Sequence, residues 1–151
     1  MYARFIAMLI ALSAASQPAA SSCWSAEELE SAKIRTLDEM LMVSSLRCRL
    51  VGIDFQNNYN DFVSNHRRKL MEAGLTLQRR MITADTYDRF ITSIANRYGA
   101  GVPGMSCTDL GELTRAAADP QRASADLVDL AERAGISPAA GEASCDAIAK
   151  R

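Results

Sequence analysis

The hydrophobic positions of this chain recur at helical spacing along almost all of its length beyond Ser25. Steps of three and four residues place apolar side chains on one face of a helix, and the alternation typical of strands is not found. Ser25 with Glu28 three positions later is a capping box that predicts the start of a first helix, A, and Gly52 predicts its end. The expected buried stripe of helix A is Ile34, Leu37, Leu41, Ser44, Cys48 and Val51.

A second helix, B, is expected to begin near Asp54 and to continue past Gly74 to about Met81. A third helix, C, follows Thr83 and closes at Gly99, a residue that commonly ends helices. One face of helix B is apolar apart from a single histidine. Its residues are Phe55, Tyr59, Phe62, His66 and Leu70.

Two shorter helices are expected after the glycine-rich loop 99–104. Helix D starts around 106–108, and Asp119 followed by Pro120 predicts the N-cap and first position of helix E, which ends at Gly135. The helical spacing along the chain predicts an all-α fold. The short connections make neighbouring helices antiparallel. We expect a small antiparallel helix bundle of four to five helices.

The first 22 residues have the composition of a signal peptide. Arg4 precedes a short apolar run at 5–15, and small residues follow, so cleavage is expected within 16–23. The run is too short to cross a bilayer, which takes about 20 apolar residues. The mature chain is therefore expected in the periplasm or outside the cell, without a transmembrane segment.

The rest of the chain contains four cysteines and no C-x-x-C motif. The cysteines are Cys23, Cys48, Cys107 and Cys145. An even number of cysteines in an exported chain favours two disulfides, which four cysteines can form in three ways. In an antiparallel bundle Cys48 and Cys107 lie at the same end. We therefore expect Cys48–Cys107, and Cys23–Cys145 joining the two ends of the chain.

Lipidation is an alternative use of Cys23. Ala20 occupies the position where a bacterial lipobox prefers leucine, and Ser22 the position where it prefers glycine or alanine, so a lipid-anchored protein is the weaker alternative. The mature chain is expected to form one helical domain over 23–136. A tail over 137–151, rich in small residues, would be tied to it by Cys145.

Residues suited to metal binding or catalysis are few. Met40 and Met42 point about 200° apart on a helix and cannot share one ion. His66 lies on an apolar face, where a lone histidine is typical of a core residue rather than a general base. The sequence therefore predicts no catalytic residue, no cofactor and no metal.

The acidic residues of helix A are interpreted as solvated. Those of the first turn suit the helix N-terminus, and the later ones lie off the apolar stripe. They are Glu27, Glu28, Glu30, Asp38 and Glu39. An envelope hydrolase whose carboxylates converge only in the folded protein stays open as an alternative.

Charge is distributed unevenly along the chain. Residues 47–97 hold nine basic and five acidic residues, whereas 23–46 and 98–151 are each acidic by three charges. The hairpin of helices B and C is therefore a candidate interaction surface for an anionic envelope component or an acidic protein. The residues proposed for it are Arg67, Arg68, Lys69, Arg79 and Arg80.

Alternatively, the basic hairpin packs beside the acidic helices and the charges balance within the molecule. The slightly negative total and the export signal argue against nucleic acid.

Taken together, these features predict an exported, non-enzymatic binding, inhibitor or accessory protein of the cell envelope.

Overall fold

The computed structural model describes residues 23–137 and 144–145, and this part of the chain is all-helical and carries two disulfides, as predicted. It contains six helices rather than four or five. They are α1 (Ala26–Arg49), α2 (Gln56–Asn65), α3 (Arg67–Arg80), α4 (Ala84–Gly99), α5 (Cys107–Ala117) and α6 (Ser124–Arg133). The expected signal peptide and most of the expected tail lie outside the described residues.

Helix α1 is the central helix and packs against each of the other five. The predicted capping box is present, because the Ser25 hydroxyl accepts from the Glu28 amide and the Glu28 carboxylate accepts from the Ser25 amide. The predicted stripe is buried as far as Cys48. Val51 is 69% exposed, contrary to expectation, because the chain has left the helix by that point and helical spacing no longer applies.

The segment predicted as helix B is divided into α2 and α3 at His66, whose φ of −109° and ψ of 15° lie outside the helical range. Neither glycine nor proline marks this break. The break turns the side chains of Asn65 and His66 toward the carbonyl groups after α5. Tertiary contacts therefore decide where the helix is divided. Helix α4 begins after the expected N-cap, Thr83, whose hydroxyl accepts from the Thr86 amide.

The prediction that a helix begins at Asp119–Pro120 is wrong. Helix α6 starts later, after Ala123, and residues 119–123 form a loop. The Asp119 carboxylate accepts from the Gln121 amide over 2.9 Å, so it closes a turn instead of capping a helix. The Arg122 side chain donates to the carbonyl of Ala116 and holds this loop against the end of α5.

The disulfides join Cys48 to Cys107 and Cys23 to Cys145. The first connects the end of α1 to the start of α5, and the second places the two termini of the described chain side by side. There the Cys145 amide donates to the Trp24 carbonyl over 3.0 Å. Two disulfides are consistent with an oxidising, exported location. None of the described helices is long and apolar enough to cross a membrane.

Candidate functional site

A cleft of about 320 Å³ opens between α1, α3 and α4. Its walls are largely apolar side chains of α2 and α3, among them Val63, Leu70, Met71 and Leu75. Tyr87 of α4 closes one side. Charged and polar groups lie at its floor and along its rim, which is the arrangement typical of binding sites for amphipathic ligands.

The floor of the cleft is an ionic cluster on α1. Arg35 pairs with Asp38 and donates to Glu39 over 2.7 Å. The two carboxylate residues are only 6% and 7% exposed, so the expectation that Asp38 and Glu39 are solvated is wrong. Because α1 is central, its polar side is covered as well, by Tyr59 of α2 and Tyr87 of α4.

Burial governs the proton affinities in this cluster. It raises the pKa of Asp38 above the usual value, against the opposing effects of Arg35 and Tyr59. Burial also raises the pKa of Glu39, with Arg35 opposing the shift and Asp38 adding to it. The pKa of Tyr59 is raised by burial and by the adjacent Asp38 carboxylate, so its hydroxyl stays protonated and donates. Both carboxylates are thus engaged with Arg35.

The rim along α3 is apolar in the middle, with the cation Arg67 at one end and Gln78 at the other. Met71 and Leu75 are 58% and 46% exposed and lie one turn apart on the same face. Arg67, which lines the cleft, lies one turn before them; Arg79 lies one turn after, beyond the cleft lining, and donates to the Thr76 hydroxyl over 3.0 Å. In the described part of the chain no carboxylate lies within 4.0 Å of either arginine.

The other basic residues of the predicted surface differ in their surroundings. The Lys69 ammonium donates to the carbonyl of Arg122 in the α5–α6 loop. The Arg80 guanidinium lies 5.2 Å from the centre of the Trp24 ring, a cation–π contact at the start of the domain. The Arg68 side chain is 82% exposed. Lys69 and Arg80 therefore help to hold α3 in place, Arg67 and Arg68 are exposed, and Arg79 is engaged with Thr76 on its own helix.

His66 lies at the α2–α3 junction, away from the cleft. Its Nε2 donates to the Asp119 carbonyl over 3.0 Å, and the amide of Asn65 donates to the Ala118 carbonyl over 2.8 Å. Burial lowers the pKa of His66, and the nearby Lys69 charge lowers it further, while the carbonyl groups oppose the shift. His66 is therefore a core residue whose Nε2 satisfies the Asp119 carbonyl beyond the end of α5.

The cleft residues that sequence reasoning missed are Arg35, Met71 and Leu75, and it misplaced Asp38 and Glu39. The spacing of Arg35 to the two acids, three and four residues, is typical of helical ion pairs and was the available signal. The residues that the structure describes contain no group of three or more histidine, cysteine, aspartate or glutamate side chains able to hold a metal ion. The chain matches no family model, no curated protein and no solved structure.

Proposed function

We propose that this protein is an exported, non-enzymatic binding protein of the cell envelope, and that it captures an acidic amphipathic segment of a partner protein in the cleft along α3. The observation that carries the proposal is the strip of Met71 and Leu75, exposed between Arg67 and Arg79. An inhibitor or an accessory subunit would use the same contact.

The order of these side chains suits a helix or an extended peptide. An amphipathic helix binds in a groove through apolar residues one turn apart. Acidic residues on either side of those anchors would meet the two arginines, which have no carboxylate partner among the described residues. The flexible side chain of Met71 can adapt to the shape of a partner.

The two kinds of contact have different consequences. An exposed ion pair contributes about 0.2–1 kcal/mol, so the arginines mainly select an acidic partner and align it. Burial of an aliphatic side chain contributes about 1.5–3 kcal/mol, so most of the affinity would come from Met71 and Leu75.

The proposal can be tested by capture from an envelope extract of the producing organism. The disulfide-bonded mature protein is immobilised, and retained proteins are measured by quantitative mass spectrometry. We expect Arg67→Glu with Arg79→Glu to reduce the main captured protein about tenfold or more. Arg115→Glu with Arg133→Glu makes the same change of charge on α5 and α6, away from the cleft, and should retain capture.

A second pair of variants separates the apolar contact from the charges. Met71→Ala with Leu75→Ala should weaken capture at every ionic strength, whereas salt should weaken capture by the wild type only in part. Equal capture by the wild type and by both cleft variants, at unchanged melting temperature, would rule out the cleft as the binding site.

An envelope hydrolase is the second candidate, favoured by the buried acid Asp38 with its raised pKa at the cleft. It ranks second because Asp38 and Glu39 are consecutive residues that hold one guanidinium group, whereas glycoside hydrolysis uses two carboxyl groups on opposite sides of a bond. Release of soluble fragments from purified cell wall by the wild type, but not by Asp38→Asn, would favour this candidate.

The lipid-anchored alternative is disfavoured by the Cys23–Cys145 bond. A thioether to diacylglycerol requires the sulfur atom that this disulfide uses. The intact mass of the exported protein tests the point: the addition of diacylglycerol at Cys23 would favour the anchored form.

A further inference from the structure

The carboxyl end of α1 exposes several large apolar side chains. We name this surface the apolar tip, and it consists of Leu46 (48% exposed), Leu50 (85%), Val51 (69%) and Ile53 (38%). Leu46 and Leu50 are one turn apart, and both point away from the face of α1 that carries the buried Cys48. Val51 and Ile53 belong to the turn that follows.

The turn that carries the apolar tip is tightly closed. The amides of Val51 and Ile53 both donate to the Cys48 carbonyl, over 3.1 and 3.0 Å. Gly52 has a φ of 85°, which a residue with a side chain rarely adopts. The disulfide from Cys48 to Cys107 joins this end to α5. The apolar side chains are therefore held outward by a fixed backbone.

Three arginines lie at the same end of the molecule as the apolar tip. Arg49 is exposed beside it, and Arg97 is exposed in the last turn of α4. The guanidinium of Arg47 lies near Gly101, in the loop after α4. None of the three has a carboxylate within 4.0 Å in the described ranges. The nearby acid Asp54 accepts from the Gln56 amide.

We propose that the apolar tip inserts into the interfacial layer of a membrane that carries anionic lipids, with the exposed Arg49 and Arg97 against the headgroups. An anionic surface attracts clustered arginines, and the acyl region accepts a few aliphatic side chains. This inference does not rest on the proposed function, because it uses the end of α1 and leaves the cleft along α3 free.

A second copy of this chain would fit the apolar tip less well. A symmetric interface would bring the arginines of one copy against those of the other, which is unfavourable. A stable dimer also buries about 800 Å² on each partner, and four side chains at one end of the molecule fall short of that area.

The test uses sedimentation of the disulfide-bonded protein with lipid vesicles. One set contains phosphatidylcholine mixed with an equal amount of phosphatidylglycerol, and the other contains phosphatidylcholine alone. We expect the wild type to bind the anionic vesicles, and Leu50→Glu to weaken this binding about tenfold or more.

A matched control lies at the opposite end of the molecule. Ile82, in the turn between α3 and α4, is 86% exposed, nearly the same as Leu50. The two ends of α1 are separated by about 36 Å, since its 24 residues rise about 1.5 Å each. Ile82→Glu should bind vesicles like the wild type. Neither variant should melt below the wild type, because both side chains are exposed and the φ of 57° at Ile82 is unfavourable for a β-branched residue.

Three results would overturn the proposal. The first is equal binding by Leu50→Glu and the wild type. The second is binding of the wild type to both kinds of vesicle alike, or to neither. The third is a concentration-dependent dimer, seen by analytical ultracentrifugation, that Leu50→Glu abolishes, because the apolar tip would then belong to an interface between copies. Loss of anionic-vesicle binding in Arg49→Glu would further support the role of the arginines.

Discussion

The hydroxyl of Tyr59 donates a hydrogen bond of 3.1 Å to Oδ1 of Asp38 and so joins α2 to the central helix at the floor of the cleft. The other oxygen of this carboxylate pairs with Arg35, which also holds Glu39. Three helices meet at this cluster, because Tyr87 of α4 lies beside the same guanidinium. The floor of the proposed binding cleft is therefore an interlocked polar network.

The hydrogen bond from Tyr59 should contribute measurably to stability. We expect Tyr59→Phe to lower the free energy of unfolding by about 1.5–3 kcal/mol, since the acceptor is a buried charged group. In a double-mutant cycle with Asp38→Asn the two effects should be markedly non-additive. Urea denaturation measures all three variants. Simple additivity would show that the two side chains are not coupled.

Removal of Arg35 should be more damaging than removal of the whole cluster. Arg35→Met leaves two buried carboxylates without a cation and should cost about 3–5 kcal/mol. The triple variant Arg35→Met, Asp38→Leu, Glu39→Met removes the charges together and should recover most of that loss. Chemical denaturation compares the two proteins. A triple variant less stable than Arg35→Met would contradict this account of the cluster.

The lowered pKa of His66 predicts a loss of stability in acid. The folded protein binds this proton less readily than the unfolded chain, so stability falls as the pH drops below the unfolded pKa of about 6.5 toward the lower folded value. His66→Gln should be less stable than the wild type at pH ~8, and the difference should shrink by pH ~5. Denaturation curves at several pH values test this. The titration of Asp38 and Glu39 affects the wild type and His66→Gln equally, so it cancels in the difference between their stabilities. A constant difference would contradict the prediction.

The Cys48–Cys107 bond closes a loop of 59 residues and should stabilise the fold by about 4 kcal/mol in the chain-entropy model. Cys48→Ala with Cys107→Ala should lower the free energy of unfolding by that amount. The Cys23–Cys145 bond spans 122 residues, for which the same model gives about 5 kcal/mol. Thermal and urea unfolding of the two double variants provide the measurement. An effect below about 1 kcal/mol at either bond would reject the entropic argument.

The starts of three helices were predictable from short-range pattern. The caps of α1, α4 and α5 use Ser25, Thr83 and Ser106, each of which accepts from an amide three residues later. Such contacts are complete within one turn, so local sequence contains all the information that they need. The helical period also placed Leu37, Leu41 and Cys48 in the core.

The candidate site was only partly predictable. The sequence identified Arg67 and Arg79 as members of a basic surface, but it did not determine whether a neighbouring helix would cover Met71 and Leu75 between them. Those two residues lie off the apolar face of the predicted helix. Whether such a face is covered depends on how closely neighbouring helices approach, which periodicity does not determine.

The sequence by itself determined the helical class, the helix caps and the spacing of the core stripes, since all of these depend on residues within a few positions of each other. Only the tertiary structure decided the burial of Asp38, whose partner Tyr59 is 21 residues away. It likewise decided the break at His66, which serves a carbonyl 53 residues away. Both outcomes arise because a polar group that is buried must find its hydrogen-bond partner wherever packing brings one close.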